Sequence, residues 1–301
     1  MLKSRRTLLV PLAAVLVAAA GCGSGTSDDP GQAPADRASA VHHDKLPQQF
    51  KDSGVIRFAG DSHPPYRIVG GDGKTVTGVD QDLQRALGAV LGVRTEITIV
   101  PGLPAALSGM LSGRYDGFNG PVKDTAEREE KFDAIVWMVT RTAYLIPESG
   151  PRDVKASSDL CGKRVAAVDG SIVQDQLTRL ARWCADKGKP AVQFVGFADT
   201  NGTILAAKSG RVDAAGMTES AALDAMAAEK GKFTYVTQTD EQGAGVDQLA
   251  MLVPKSSGLG PVMLEAFKEI FANGQYAKIM KQYGLENVAV DQPKLNTAAQ
   301  R

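Results

Sequence analysis

The sequence has no excess of charge of either sign. Lysine and arginine together number 34, aspartate and glutamate together also number 34, and the formal net charge at pH 7 is zero. Proteins that bind nucleic acids usually present a basic surface, because neutralising phosphates supplies much of the affinity. The balance argues against a nucleic-acid partner and favours a small molecule or another protein.

Histidine and cysteine are also scarce, with three residues of each. His42 and His43 are adjacent near the N-terminus, and His63 is the only histidine in the region expected to fold. Two adjacent histidines without further ligands do not make a metal site, so we expect neither a metal nor another cofactor. The scarcity also argues against a catalytic cysteine, which needs a basic partner such as histidine.

The apolar run near the N-terminus is too short to span a bilayer. It covers residues 8–20 and follows Lys3, Arg5 and Arg6, whereas a transmembrane helix needs about 20 apolar residues. Residues 1–22 therefore have the layout of a signal peptide. The end of this segment resembles a bacterial lipobox, in which the cysteine, here Cys22, becomes the lipidated first residue of the mature protein. Residues 4–9 also resemble a twin-arginine signal, so both export routes stay open.

Export bears on the two remaining cysteines, Cys161 and Cys184. In an oxidising compartment a disulfide between them is the favoured interpretation, and two buried thiols are the alternative. Closing a loop of this length would restrict the unfolded chain by roughly 3 kcal/mol. Upstream, residues 23–50 are rich in glycine, serine, proline and alanine and lack an apolar period, which predicts a disordered tether.

A six-residue pattern occurs twice in the chain. Residues 112–117 read SGRYDG and residues 209–214 read SGRVDA. Each copy follows a leucine- and alanine-rich helical run, at 103–111 and 204–208, and precedes a short apolar strand. Chance similarity of two turns is the alternative. A repeated order of helix, glycine and strand predicts an α/β protein with two lobes.

Ligands of open α/β sheets bind beyond the carboxyl ends of the strands. We therefore expect the site just after each repeat, at residues 119–128 and 217–219. A further strand ends at Gly170-Ser171 and is followed by a helix, so free backbone N–H groups there would suit an anion. Asp80 is expected to be the N-cap of a helix. The last strand and two helices are expected to return to the first lobe, so that the chain crosses between the lobes twice.

Taken together, these residues resemble the bacterial extracellular solute-binding proteins of family 3, which serve amino-acid ABC importers. The resemblance covers about residues 54–284 and depends on the order of motifs rather than on any one of them. The motifs lie at residues 64–66, 78–83, 112–117, 125–128, 159–165, 170–171, 209–214 and 274–276. The implied fold is an α/β, two-lobed, type II periplasmic-binding-protein fold with a hinged cleft.

The resemblance also assigns roles to individual residues. Arg128 takes the position of the arginine that clamps the ligand α-carboxylate, which suits the planar fork of a guanidinium. Gly170 and Ser171 take the position of the turn that assists the same carboxylate from the second lobe.

Three positions depart from the family pattern. The aspartate that receives the ligand ammonium is Thr218 here, so either Glu219 replaces it or the ligand lacks a free α-amino group. The aromatic residue before the two prolines is His63, in a loop one residue short. Lys123 stands where serine or threonine is usual and would add positive charge near Arg128.

The resemblance implies a domain plan and a set of partners. The plan comprises a lipoprotein signal peptide (1–22), a tether (23–50), lobe 1 (51–147 plus 245–290), lobe 2 (148–244) and a flexible tail (291–301). The implied function is that of a monomeric, membrane-anchored receptor outside the cytoplasm, which captures an amino acid or related small carboxylate for permease subunits. The alternatives are an exported cyclohexadienyl or arogenate dehydratase and a sensor subunit that presents its ligand to a membrane receptor.

Overall fold

The structure is a computed structural model that describes residues 40–298. The expected signal peptide, Cys22 and most of the expected tether lie outside the described residues. Within residues 40–298, none of the helices combines the length and the apolar character that crossing a membrane requires.

The first half of the described chain contains α1 (Gln48–Ser53), β1 (Val55–Gly60), β2 (Ile68–Val69), β3 (Val76–Thr77), α2 (Val79–Leu91), β4 (Arg94–Ile99), α3 (Leu103–Leu111), β5 (Gly117–Lys123), α4 (Ala126–Glu129), β6 (Phe132–Thr140) and β7 (Thr142–Pro147). The second half contains β8 (Arg164–Val168), α5 (Ile172–Asp186), β9 (Gln193–Phe197), α6 (Thr200–Lys208), β10 (Ala214–Thr218), α7 (Glu219–Ala228), β11 (Phe233–Thr237), β12 (Asp247–Pro254), α8 (Leu259–Ala272), α9 (Gln275–Gln282) and β13 (Ala289–Leu295).

The strands form two main sheets, and each defines one lobe. The six-stranded sheet has the order β13-β6-β12-β5-β1-β4, and the five-stranded sheet has the order β11-β7-β10-β8-β9. In each sheet three neighbouring strands at one side are parallel, namely β5, β1 and the edge strand β4, and β10, β8 and the edge strand β9. The first lobe denotes the six-stranded sheet with its helices, and the second lobe denotes the five-stranded sheet with its helices.

Each sheet has apolar cores of its own. In the first lobe, α2 and α8 bury Leu83, Leu87 and Phe267 against Trp137 and Met251 of the sheet. The corresponding core of the second lobe packs α5 against its sheet through Leu177, Leu180, Tyr144 and Val165. Because these clusters do not share residues, the apolar packing is complete within each lobe and leaves the space between the lobes for a site.

The six-residue repeat performs the same structural task in both lobes. Asp116 accepts hydrogen bonds from the backbone N–H and the guanidinium of Arg57, which lies on β1. Asp213 accepts the same set from Arg164, which begins β8. In both lobes, therefore, an arginine of the first parallel strand is hydrogen-bonded to the turn that precedes the third parallel strand. The prediction of two similar α/β lobes is confirmed by this shared device.

The described parts of two segments that were expected to be flexible are folded. Residues 23–50 were expected to form a tether, but residues 48–50 belong to α1, and Leu46 and Phe50 are buried in the first core. Residues 291–301 were expected to form a tail, but β13 pairs with β6 at the edge of the sheet. Both expectations were wrong for these residues because composition alone does not reveal an edge strand or a short helix that covers a core.

The long β-prone run after Lys131 belongs to both sheets. Its first part, β6, lies in the six-stranded sheet, and its second part, β7, pairs with β10 and β11 in the other sheet. The first crossing between the lobes is therefore at Arg141, not after residue 147 as expected. The return crossing precedes β12, and α8 and α9 then pack on the first lobe, as expected.

The helix α2 begins differently from the expectation. Gly78 is its N-cap, and Asp80 lies in the first turn with its side chain fully buried. Gly78 has a φ of 119°, and a Cβ atom there would lie 2.5 Å from the carbonyl oxygens of Pro65 and Tyr66. Only glycine allows this close approach, which holds the Pro64-Pro65-Tyr66 loop against the start of α2.

The disulfide expected in the second lobe is present. Cys161 and Cys184 are bonded, with their Cα atoms 5.7 Å apart, and Cys184 belongs to the buried face of α5. The bond fixes this helix to the loop that precedes β8.

Candidate ligand-binding site

Arg128 connects the two lobes. It lies on the single-turn helix α4, where the Thr125 hydroxyl accepts a hydrogen bond from the Arg128 backbone N–H at 3.2 Å. Its guanidinium donates one hydrogen bond to the Lys123 carbonyl of the first lobe and one to the Gly170 carbonyl of the second, each at 2.8 Å. The side chain therefore extends from one lobe to the end of a strand in the other.

Within residues 40–298 the charge of Arg128 has no direct counterion. Among residues 40–298 both hydrogen-bond acceptors of its guanidinium are carbonyl oxygens, and none of the ion pairs includes it. Burial lowers the pKa of Arg128 below its ordinary value, although the charges of Asp175, Glu127 and Asp124 oppose this. An arginine keeps its proton in proteins under such conditions. A half-buried cation that lacks a carboxylate partner favours the binding of an anion.

A small cavity lies between the lobes. Arg128 does not line it, but the two residues that accept its hydrogen bonds, Lys123 and Gly170, are chain neighbours of the lining residues Val122 and Ser171. Its volume is about 30 Å³. The described conformation therefore leaves little free space between the lobes at this point. Its lining comes from both lobes and is mostly apolar: Asp61, His63, Leu103, Phe118, Pro121, Val122, Val168, Ser171, Ile172, Val173 and Thr218.

Two polar atoms at the cavity are buried without a partner. The Nε2 atom of His63 and the hydroxyl of Ser171 form no hydrogen bond within the described part of the chain. Burial lowers the pKa of His63 from 6.5 to about 4; nearby Asp61 opposes this shift and Arg67 reinforces it. His63 is therefore neutral at pH 7. Unpaired buried polar atoms are costly, so both are available to a bound ligand.

The structure brings together most of the residues expected from the sequence. His63, Ser171 and Thr218 line the cavity, and Gly170 lies at its edge, bonded to Arg128. The Thr218 hydroxyl accepts a hydrogen bond from the Ala221 N–H at 3.3 Å and thus caps α7. In this position Thr218 contributes no charge to the site.

Glu219 and Lys123 are placed differently. Glu219 lines a separate cavity of about 460 Å³ and is 3.4 Å from the hydroxyl of Tyr235, which donates to it. Lys123 forms an ion pair with Asp247 at 2.9 Å, and Asp247 also accepts a hydrogen bond from Gln176 of α5. The ammonium of Lys123 is thus neutralised at the return crossing, whereas its carbonyl supports Arg128.

The sequence analysis missed a buried ionic network beside the cavity. Arg67 is 1% exposed, and its guanidinium donates to the carboxylates of Asp61 and Asp80 and to the Gly120 carbonyl. Burial lowers the pKa of Arg67, but the charges of Asp80 and Asp61 outweigh this and raise it. A Cβ atom at Gly60 would lie 2.4 Å from Arg67 Cδ, so glycine makes room for the side chain.

One signal for this network was present in the sequence. Asp80 lies on the same helical face as Leu83, Gln84 and Leu87, all of which are buried. A carboxylate on the apolar face of a helix predicts a buried partner, since a lone charge there would be costly. The identity of that partner was not predictable, because Arg67 comes from a loop.

The lowered pKa of His63 predicts a pH dependence of stability. Between pH 6.5 and 4 the unfolded chain binds a proton at His63 that the native state does not bind. The free energy of unfolding should therefore fall as the pH decreases through this window, by about 2 kcal/mol at pH 5 from this group. Urea unfolding of the wild type and His63→Gln at pH 7 and pH 5 measures the difference.

In the His63→Gln variant the loss of stability between these pH values should be smaller than in the wild type. His43→Gln is the matched control, because His43 lies near α2 and hydrogen-bonds the Leu91 carbonyl at 3.0 Å. Equal losses in the His63→Gln variant and the wild type would contradict the placement of a neutral, buried His63.

Comparisons with known proteins agree on the kind of protein. The curated arginine-binding protein ArgT of Corynebacterium glutamicum is 27% identical over 262 residues, which is 83% of this chain and 81% of ArgT. Among solved structures, an ancestral arginine-binding protein bound to arginine superposes with a TM-score of 0.66 at 23% identity, covering 76% of this chain and 98% of its own. The amino-acid ABC transporter substrate-binding protein AbpA from Streptococcus pneumoniae, bound to L-arginine, gives a TM-score of 0.66 at 22% identity, with 79% and 97% covered.

These structural relatives confirm the two-lobed fold inferred from the sequence. The sequence profile of the bacterial extracellular solute-binding proteins, family 3, matches residues 56–286. This range includes both sheets except β13 and the first residue of β1, and it contains every residue of the candidate site. The chain belongs to family 3 of the bacterial extracellular solute-binding proteins.

Proposed function

We propose that this protein captures an amino acid or related small carboxylate between its two lobes and delivers it to an ABC importer. The observation that carries the proposal is the position of Arg128, a half-buried cation whose guanidinium reaches both lobes without a carboxylate partner in the described chain. A ligand carboxylate would accept two parallel charge-assisted hydrogen bonds from this group.

The hydrogen bond between Arg128 and Gly170 also suggests how ligand binding would close the two lobes. In the described conformation Arg128 donates a hydrogen bond to the Gly170 carbonyl, and the cavity near it has a volume of only about 30 Å³. Separation of the lobes about the crossings at Arg141 and before Asp247 would expose Arg128 and Ser171 together. A carboxylate between them would then be held by the first lobe through Arg128 and by the second through the Ser171 hydroxyl and nearby backbone N–H groups. Binding would favour the closed arrangement because only that arrangement makes both sets of bonds.

The relatives support transport over the alternatives. The family consists of solute-binding proteins, and AbpA is described as a substrate-binding protein of an amino-acid ABC transporter. These names favour transport over the dehydratase. A sensor role would use the same capture step, and it differs only in the membrane protein that receives the closed form.

The protein would carry out this capture as a monomer attached to the outer face of the cell membrane. The lipobox-like residues 19–22 support attachment, with Cys22 as the lipidated residue. Expression of the full chain in a bacterium with labelled palmitate should label the wild type, while Cys22→Ser should remain unlabelled and be released from membranes. Equal labelling of the two proteins would contradict the anchor.

Replacement of Arg128 tests the capture step. Arg128→Ala removes both charged donors and should raise the Kd for a binding acid by roughly a hundredfold or more, because each hydrogen bond to a charged group contributes about 1.5–3 kcal/mol. Isothermal titration of the mature chain, after a thermal-shift search among amino acids and small carboxylates, measures the change.

Arg85→Ala is the matched control, because Arg85 forms an exposed ion pair with Asp82 on α2, away from the cavity. It should bind as the wild type does. Circular dichroism checks that the Arg128→Ala variant remains folded. An unchanged Kd in folded Arg128→Ala protein would refute Arg128 as the carboxylate clamp and, with it, the proposed function.

A further inference from the structure

The cavity between the lobes contains one carboxylate in its lining within the described chain, that of Asp61. Electrostatic complementarity would make this group the natural partner of a cationic part of a ligand. Phe118 also lines the cavity, and an aromatic face attracts a guanidinium or ammonium group. These two features would together suit an arginine side chain.

Arg67 of the same chain already contacts both the Asp61 carboxylate and the Phe118 ring. Its guanidinium donates to the Asp61 carboxylate, and its Nε–H donates to the Asp61 carbonyl at 2.6 Å. The same guanidinium lies over the Phe118 ring, 5.0 Å from the ring centroid. The Asp61 carboxylate is already paired with Arg67. The guanidinium of a ligand at Asp61 would lie within a few ångströms of the Arg67 guanidinium, and the two positive charges would repel each other.

The rest of the lining offers no substitute for Asp61. Thr218 is uncharged and caps α7, and His63 presents an uncharged imidazole whose Nε2 has no partner in the described chain. The carboxylate of Glu219 faces the separate cavity beside Tyr235. The cavity between the lobes therefore combines apolar walls with neutral polar atoms. The nearby cation, Arg128, has no carboxylate partner among residues 40–298.

We infer that Arg67 sets the charge selectivity of the site: it fills the cation subsite, so the ligand is a small carboxylate whose remaining part is uncharged, and not arginine. This inference rests on the proposed capture of a carboxylate by Arg128. It distinguishes the chain from relatives that are named for arginine.

Titration of the wild-type protein tests whether the ligand is an uncharged acid rather than arginine. The mature chain is titrated with L-arginine and with small uncharged acids, meaning acids whose only charge at pH 7 is the carboxylate, such as butyrate, 2-hydroxybutyrate and 2-oxobutyrate. At least one uncharged acid should bind, and arginine should bind roughly tenfold or more weakly, the equivalent of one charged hydrogen bond. Arginine binding as strong as that of the best uncharged acid would overturn the inference while leaving the capture proposal intact. Failure of every acid to bind would overturn both.

A charge-balanced variant decides whether Arg67 is responsible. Arg67→Met combined with Asp80→Asn removes one charge of each sign and leaves Asp61 alone at the cavity, so arginine affinity should rise roughly tenfold or more. Arg57→Met combined with Asp116→Asn is the matched control, because it removes an ion pair of the same lobe at the far end of β1. Its arginine affinity should not change.

A folded Arg67→Met/Asp80→Asn protein that gains no arginine binding, or a control pair that gains as much, would overturn the role of Arg67. Thermal melting establishes whether each variant is folded. If the buried pair proves essential for folding, the wild-type comparison of arginine with uncharged acids still supports or overturns the inference by itself.

Discussion

The hydrogen bond from Arg128 to the Gly170 carbonyl is the contact on which this account depends. It joins a side chain fixed by one lobe to the backbone at the end of a strand in the other. The two apolar cores share no residues, so contacts of this polar kind decide how the lobes meet. A carbonyl oxygen satisfies the geometry of the guanidinium but not its charge. The arrangement is therefore one that a carboxylate would improve, which links closure to binding.

Two arginines close to one cavity, the buried Arg67 and the half-buried Arg128, differ in the charges around them. Arg67 is surrounded by the carboxylates of Asp61 and Asp80 and is part of the first lobe's internal structure. Arg128 is bonded only to carbonyl groups within the described chain. The first arginine removes negative charge from the cavity, and the second supplies positive charge at its edge. Together they make the site attractive to an anion whose remaining part is neutral.

Much of the architecture was predictable because the sequence contains the same six-residue turn motif twice. The turns at residues 112–117 and 209–214 each contain a glycine with positive φ and an aspartate that pairs with an arginine of a strand, and both residue types are visible in a single sequence. The positions of Arg128, Gly170 and Ser171 followed from their places after strands and at a helix start. The two-lobed fold could therefore be predicted from the sequence, whereas the binding roles of these residues came from the family resemblance and stay predictions.

The features that the sequence did not reveal are pairings between distant or irregular segments. The partner of Asp80 is Arg67 of a loop, and the partner of Lys123 is Asp247 at the return crossing. The change of sheet at Arg141 interrupts an unbroken β-prone run, and β13 joins the edge of a sheet from a polar segment. Local propensity contains no information on such contacts, because tertiary packing determines them.

The most direct test of the central claim compares a binding acid with its own primary amide. Both molecules have nearly the same shape, but only the acid offers a charged carboxylate to Arg128. Isothermal titration of the wild type should give a Kd for the amide that is roughly a hundredfold higher than for the acid. Equal affinities for the two would show that carboxylate recognition by Arg128 does not drive binding.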